Sequence, residues 1–154
     1  MLLLLSGCSS TPPSDEVLIN NFRSNKSDFK RLIRMFKEDK KLEYVSLDMI
    51  SPMEVIGEKR KKEYQRLFGK LNVKQMKSYN KQQSISMTAY SVGLSITGAA
   101  KGYDYWEKPV PSHLDVVKNL DQAYQKERAK DKPLAFYKLR HLEGNWYLSY
   151  SVDD

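Results

Sequence analysis

His113 and His141 are the only imidazoles in this 154-residue chain, so any histidine-based acid, base or metal chemistry has to rest on them. Ser112-His113-Leu114-Asp115 puts three residue types of a nucleophilic triad into one tetrapeptide. A triad needs a base oriented by one group while it faces another, and neighbours in sequence do not have that geometry. Ser112, following Pro111, reads instead as a helix cap. His141 falls in a β-like pattern two residues before Glu143 and reads as an ordinary strand residue. The histidines share no ligand-like spacing, and no metal is expected. Gly93 to Gly102 is glycine-rich, but a phosphate-cradling loop requires lysine directly after its second glycine, where this chain has Ala99. No cofactor is expected. The acidic pairs Glu38-Asp39 and Asp153-Asp154 are explained by solvation at a helix end and at the terminus.

Charge is unevenly distributed. The formal net charge is +7, yet residues 58–77 alone carry eight basic and two acidic side chains. Lys59, Arg60, Lys61, Lys62, Arg66 and Lys70 form the centre of this block, and such a block favours anionic surfaces in general. Lys59 to Lys62 wrap about one turn of a helix, so all four cannot face one partner. Ten tyrosines add a second recognition resource, since Tyr103, Tyr105, Tyr147 and Tyr150 fall on expected strands, where rings serve a core or line a groove.

The single cysteine, Cys8, closes an opening of Met1-Leu2-Leu3-Leu4-Leu5-Ser6-Gly7-Cys8. Leu5-Ser6-Gly7-Cys8 resembles the lipobox of bacterial lipoproteins, in which a branched apolar residue and two small ones precede the cysteine to be acylated. The resemblance covers about the first ten residues and says nothing of the rest. It implies cleavage before Cys8, a diacylglycerol thioether on its sulfur and acylation of the new amine. Each buried CH₂ adds about 0.8 kcal/mol, and about two chains suffice for stable anchoring. Ser9, rather than Asp, after the cysteine implies sorting to the outer membrane, facing the periplasm, in a Gram-negative organism. A secretory signal normally has a basic n-region and an apolar core of about 7–15 residues. Residues 1–7 have neither, and read as a truncated signal whose start lies upstream. Residues 8–13 then form a lipidated, polar, proline-containing tether, and with Cys8 consumed no thiol is left for disulfides or nucleophilic catalysis.

Residues 14–154 are the right length for one domain. Ser14 caps a helix opened by Asp15 and Glu16, which complement its dipole, and Leu18, Phe22, Phe29, Ile33 and Phe36 continue one apolar face to about Asp39, with a break near Ser24-Ser27. A short strand is expected over Leu42–Leu47 and a second helix over about Glu54–Phe68, closed by Gly69. Ile85, Met87 and Ala89 then alternate with Ser84, Ser86 and Thr88, which predicts a strand, with a hairpin turn at Gly93 and a bulge or turn over Gly98–Gly102 before an aromatic strand at Tyr103. Leu114, Val117, Leu120 and Tyr124 predict a further helix. Leu134–Leu142 and Trp146–Val152 form a terminal hairpin around Glu143-Gly144-Asn145. The expected class is α+β, with the N-terminal helices on one face of an antiparallel sheet of four to six strands and one more helix before the C-terminal hairpin.

The functional expectation is a membrane-anchored envelope lipoprotein with a non-enzymatic binding or structural role. Its partners would be the membrane, through Cys8, and an envelope protein or anionic polymer. Nucleic acid is not expected, because no recognition motif is present and export would leave no substrate. The alternative is an envelope hydrolase built on carboxylates that sequence spacing does not reveal.

Overall fold

The computed structural model describes residues 11–79, 83–94, 97–132 and 135–153. The lipobox-like residues and Cys8 lie outside these segments, as do Ile96, Pro133 and Leu134.

Two helices open the domain. In α1 (Asp15–Ser24) the Ser14 hydroxyl accepts from the Val17 N–H at 3.3 Å, and Leu18, Ile19 and Phe22 are buried. The expected break is a single residue, Asn25, whose side-chain amide donates to the Asn21 carbonyl at 3.1 Å. Beyond it α2 (Lys26–Glu38) buries Phe29, Leu32, Ile33, Met35 and Phe36. The chain next makes a small hairpin, β1 (Tyr44–Ser46) and β2 (Ile50–Ser51), and then α3 (Glu58–Leu71). Three strands follow: β3 (Gln75–Tyr79), β4 (Ser84–Leu94) and β5 (Thr97–Trp106). Last come α4 (Leu120–Arg128) and the hairpin of β6 (Phe136–Glu143) and β7 (Trp146–Asp153).

The class is α+β, with a further helix before the C-terminal hairpin, and the sheet is antiparallel throughout, in the order β2-β1-β3-β4-β5-β7-β6. Among the described residues it has seven strands, more than the expected four to six. The extra members are short ones, β2 and β3, too brief for a period-2 pattern to stand out. Side chains alternate between faces along each strand. Val45, Met76, Ile85, Met87, Tyr103, Trp146 and Leu148 join the helices' apolar residues in one core. Its centre is aromatic, with ring centroids 4.6 Å apart for Phe29 and Tyr103 and 5.1 Å for Phe22 and Trp146.

Three boundaries differ from expectation for physical reasons. Gly98–Gly102 is not a turn but part of β5. A Cβ on Gly102 would lie 2.0 Å from the Met87 carbonyl oxygen, across from the register shift between Thr88 and Tyr90, so glycine is required there by close approach of backbone. Gly69 sits inside α3, which begins after Gly57 and is closed instead by Asn72 at φ 52°. Finally, α4 starts at Asn119, whose side-chain oxygen accepts from the Gln122 N–H at 2.8 Å, and not at Ser112. Residues before it are drawn out along β6, with Val117 N–H donating to Leu139 O at 2.8 Å and Leu139 N–H to Asp115 O at 2.9 Å.

Candidate functional site

The face of the sheet turned away from α1 to α3 is polar. On β4 the alternation places Ser84, Ser86 and Thr88 there; on β5, Ala100, Gly102, Asp104 and Trp106; on β7, Ser149 and Ser151. Register aligns them in rows, with Ser86 beside Asp104, Thr88 beside Gly102 and Gly102 beside Ser149. A one-sided antiparallel sheet ordinarily gives such a face to solvent. Here the stretch between β5 and α4 supplies Pro111, His113 and Leu114 as a wall, and the result is a cavity of about 500 Å³.

Asp104 is at its base, only 4% exposed. The Ser149 hydroxyl donates to its Oδ1 at 3.0 Å, the Tyr137 hydroxyl to its Oδ2 at 3.1 Å, and Ser86 stands opposite it on β4. Burial pushes the carboxyl above its ordinary range, against the opposing pull of these three hydroxyls. Burial and the Asp104 charge also push the Tyr137 and Tyr79 phenols up. Trp106 lines the same cavity, and its indole Nε1–H is buried without a hydrogen-bond partner among the described residues. Buried donors are rarely left in that state. Tyr79 and Tyr137 are half-exposed at the cavity edge.

A second polar cluster lies on the helix side. Lys101 alternates with Asp104's face and points the other way, fully buried. Its Nζ donates to Asp121 Oδ1 at 2.6 Å and to the Pro13 carbonyl at 3.0 Å. It also lies 2.8 Å from Asp15 Oδ1, an ion pair whose angle falls short of a hydrogen bond. Asp15 Oδ2 accepts from Arg140 and from the Leu120 N–H, each at 2.8 Å. Burial alone would raise the Asp15 pKa; Lys101, Arg140 and the Leu120 amide together hold it below the ordinary 3.8. Asp15 therefore does more than complement the dipole of α1: it locks the start of that helix to β5, β6 and α4.

The basic block divides. Arg60 is turned toward the end of α2, 2.9 Å from Asp39 and 2.8 Å from Glu38, and Lys70 is paired with Asp28 at 2.5 Å. Lys59, Lys61, Lys62 and Arg66 make no ion pair among the described residues, and Lys59, Lys62 and Arg66 are exposed. The six side chains thus do not form one surface; two of them fasten α3 to α2. His141 stays on its strand, with Nε2 3.0 Å from the Gly144 carbonyl oxygen. His113 is exposed on the cavity wall, and its neighbour Asp115 is engaged by Lys138, so Ser112, His113 and Asp115 are not assembled as a relay. No group of three histidine, aspartate or glutamate side chains among the described residues could hold a metal ion. Sequence reasoning did not single out Asp104, Trp106, Ser149 or Lys101. The available signal was the strict alternation of Ala100, Gly102, Asp104 and Trp106 with Lys101, Tyr103 and Tyr105.

Comparison with protein families, with curated proteins and with solved structures finds no match to this chain.

Proposed function

We propose that this is a lipid-anchored protein of the bacterial cell envelope, held to a membrane by acyl chains on Cys8, whose domain binds a ligand without transforming it. The observation that carries the anchor is Leu5-Ser6-Gly7-Cys8 followed by a polar tether that runs directly into the first cap at Ser14. Residues 8–13 reach only about 20 Å at ~3.3 Å per residue, which keeps the domain close to the lipid surface. In a Gram-negative organism Ser9 favours the outer membrane, facing the periplasm. No helix among the described residues is long and apolar enough to cross a membrane, so lipid is the proposed means of attachment. Lys59, Lys61, Lys62 and Arg66 are available to an anionic polymer, protein or head-group layer, where each cation contributes about 1 kcal/mol before screening.

Binding rather than turnover is favoured by the cavity's composition. Asp104 is the only carboxylate among its described lining residues, whereas carboxylate-pair hydrolysis needs two such groups about 5–9.5 Å apart. A hydrolase remains the second reading, because a buried aspartate with a raised pKa suits a general acid. Loss of an envelope-polymer cleavage activity in Asp104→Asn, with the fold intact, would favour that reading.

The test of the anchor is metabolic labelling with an alkyne fatty acid, combined with intact mass and fractionation of the native protein. Label and membrane association are expected in the wild type and absent in Cys8→Ala. A protein found in the soluble interior with a free thiol and residues 1–7 attached overturns the proposal.

A further inference from the structure

We infer that the cavity over Asp104 is a subsite for an uncharged polyhydroxyl ligand, a carbohydrate. This rests on the binding reading above but not on lipidation of Cys8.

The hydrogen-bond polarity of the cavity carries the inference. Ser149 and Tyr137 each donate their one hydroxyl proton to Asp104, at 3.0 and 3.1 Å, and Ser86 is its cross-strand neighbour on the same face. A hydroxyl whose proton is committed in this way offers only lone pairs to whatever lies above it. The base is therefore a set of oriented acceptors. Trp106 supplies the opposite: a buried N–H with no acceptor among the described residues. A complement to this arrangement must donate to several oxygens and accept from one nitrogen in the same cavity. Hydroxyl groups on a sugar ring do both. A quaternary ammonium would leave the indole N–H unsatisfied and has no proton to give, and an anion would meet the Asp104 charge.

Shape and charge agree. Lys101 belongs to a strand that floors the cavity, but its side chain points to the other face of the sheet, where its ammonium is spent on Asp15, Asp121 and the Pro13 carbonyl. A cavity of about 500 Å³ is in the range of small-molecule sites. Trp106 and the half-exposed Tyr79 and Tyr137 supply flat apolar surface with polar edges, suited to the C–H faces of pyranose rings. Asp104 gives the site a reason to exist at the expense of stability, since a desolvated carboxylate is unfavourable in the folded state unless it organises something.

The test uses the full chain in unlipidated form, an array of neutral oligosaccharides, and titration of the hits by nuclear magnetic resonance. Saturable binding is expected, with shifts confined to residues of the polar face. Asp104→Asn, Ser149→Ala and Trp106→Phe, the last keeping a flat aromatic ring while removing the N–H and part of the ring area, should each weaken binding at least tenfold while the circular dichroism spectrum is unchanged. Choline and inorganic phosphate serve as cationic and anionic probes. No bound oligosaccharide, binding that shifts the α3 face instead, full affinity in Trp106→Phe, or preferential binding of choline or phosphate would each overturn the inference. None of these outcomes alters the fatty-acid labelling result, so failure of the subsite and failure of the anchor are separable.

Discussion

Replacing Lys101 with Met removes a buried cation and leaves its two carboxylate partners behind. Lys101 has no exposed side-chain surface and Asp15 only 1%, so water does not replace that contact without opening the domain, whereas Asp121, 39% exposed, is partly solvated. Asp15 keeps Arg140 and the Leu120 amide at 2.8 Å, whereas Asp121 and the Pro13 carbonyl lose their Lys101 contacts, at 2.6 and 3.0 Å. Breaking one side of a buried pair of this kind destabilises by about 3–5 kcal/mol. For a domain of this size that corresponds to a melting temperature lower by about 10–15 °C. The pair should also carry a pH signature. The folded-state pKa of Asp15 is depressed, so its stabilising contribution is present above 3.8 and is lost as pH falls through the folded value. Urea unfolding followed by circular dichroism at neutral pH and in acid measures both. The gap between wild type and Lys101→Met should narrow below about pH 4. A loss of under ~1 kcal/mol at neutral pH, the value of an exposed pair, would refute the reasoning.

Asp104→Asn is expected to raise the unfolding midpoint at neutral pH. A carboxyl with a raised folded-state pKa opposes folding once it ionises, and this gain should vanish as pH falls below the ordinary carboxylate range. Gly102→Ala should destabilise by about 3 kcal/mol or more, because its Cβ would meet the Met87 carbonyl oxygen at 2.0 Å and only backbone movement relieves it. Gly69→Ala is the opposite case: nothing lies within 4 Å of the added methyl in the interior of α3, and a gain of about 0.5–1 kcal/mol is expected in the same unfolding assay. Asn119→Ala should cost about 1 kcal/mol by removing the cap of α4.

Long elements with a strong period were readable before the structure. The helices ending at Asp39, the break beside Asn25 and the C-terminal hairpin around Gly144 follow from apolar spacing and turn residues alone. Elements made by tertiary contact were not. Leu114 and Val117 have helical spacing, yet Leu114 closes a turn onto the Pro111 carbonyl and Val117 is drawn along β6 by its bond to Leu139. Gly98 and Gly102 look like loop residues, and only the opposing backbone explains why a strand contains them. The polar side of β4 was visible as alternating serines and threonine. That Asp104 would be buried beneath it was not, since the wall from Pro111 to Leu114 comes from a segment whose position no local pattern dictates. The basic block was plain as composition, but which of its cations turn toward α2 depends on how two helices dock.

Lys101 also ties the first described turn of the chain to the centre of the fold. Its grip on the Pro13 carbonyl and on Asp15 pins the first turn of α1 to an interior strand of the sheet. Pro13 and the sheet therefore belong to one body. A force applied at Pro13 is therefore handed straight to the middle of the sheet, and the polar cavity on its opposite side shares a strand with the residue that receives it.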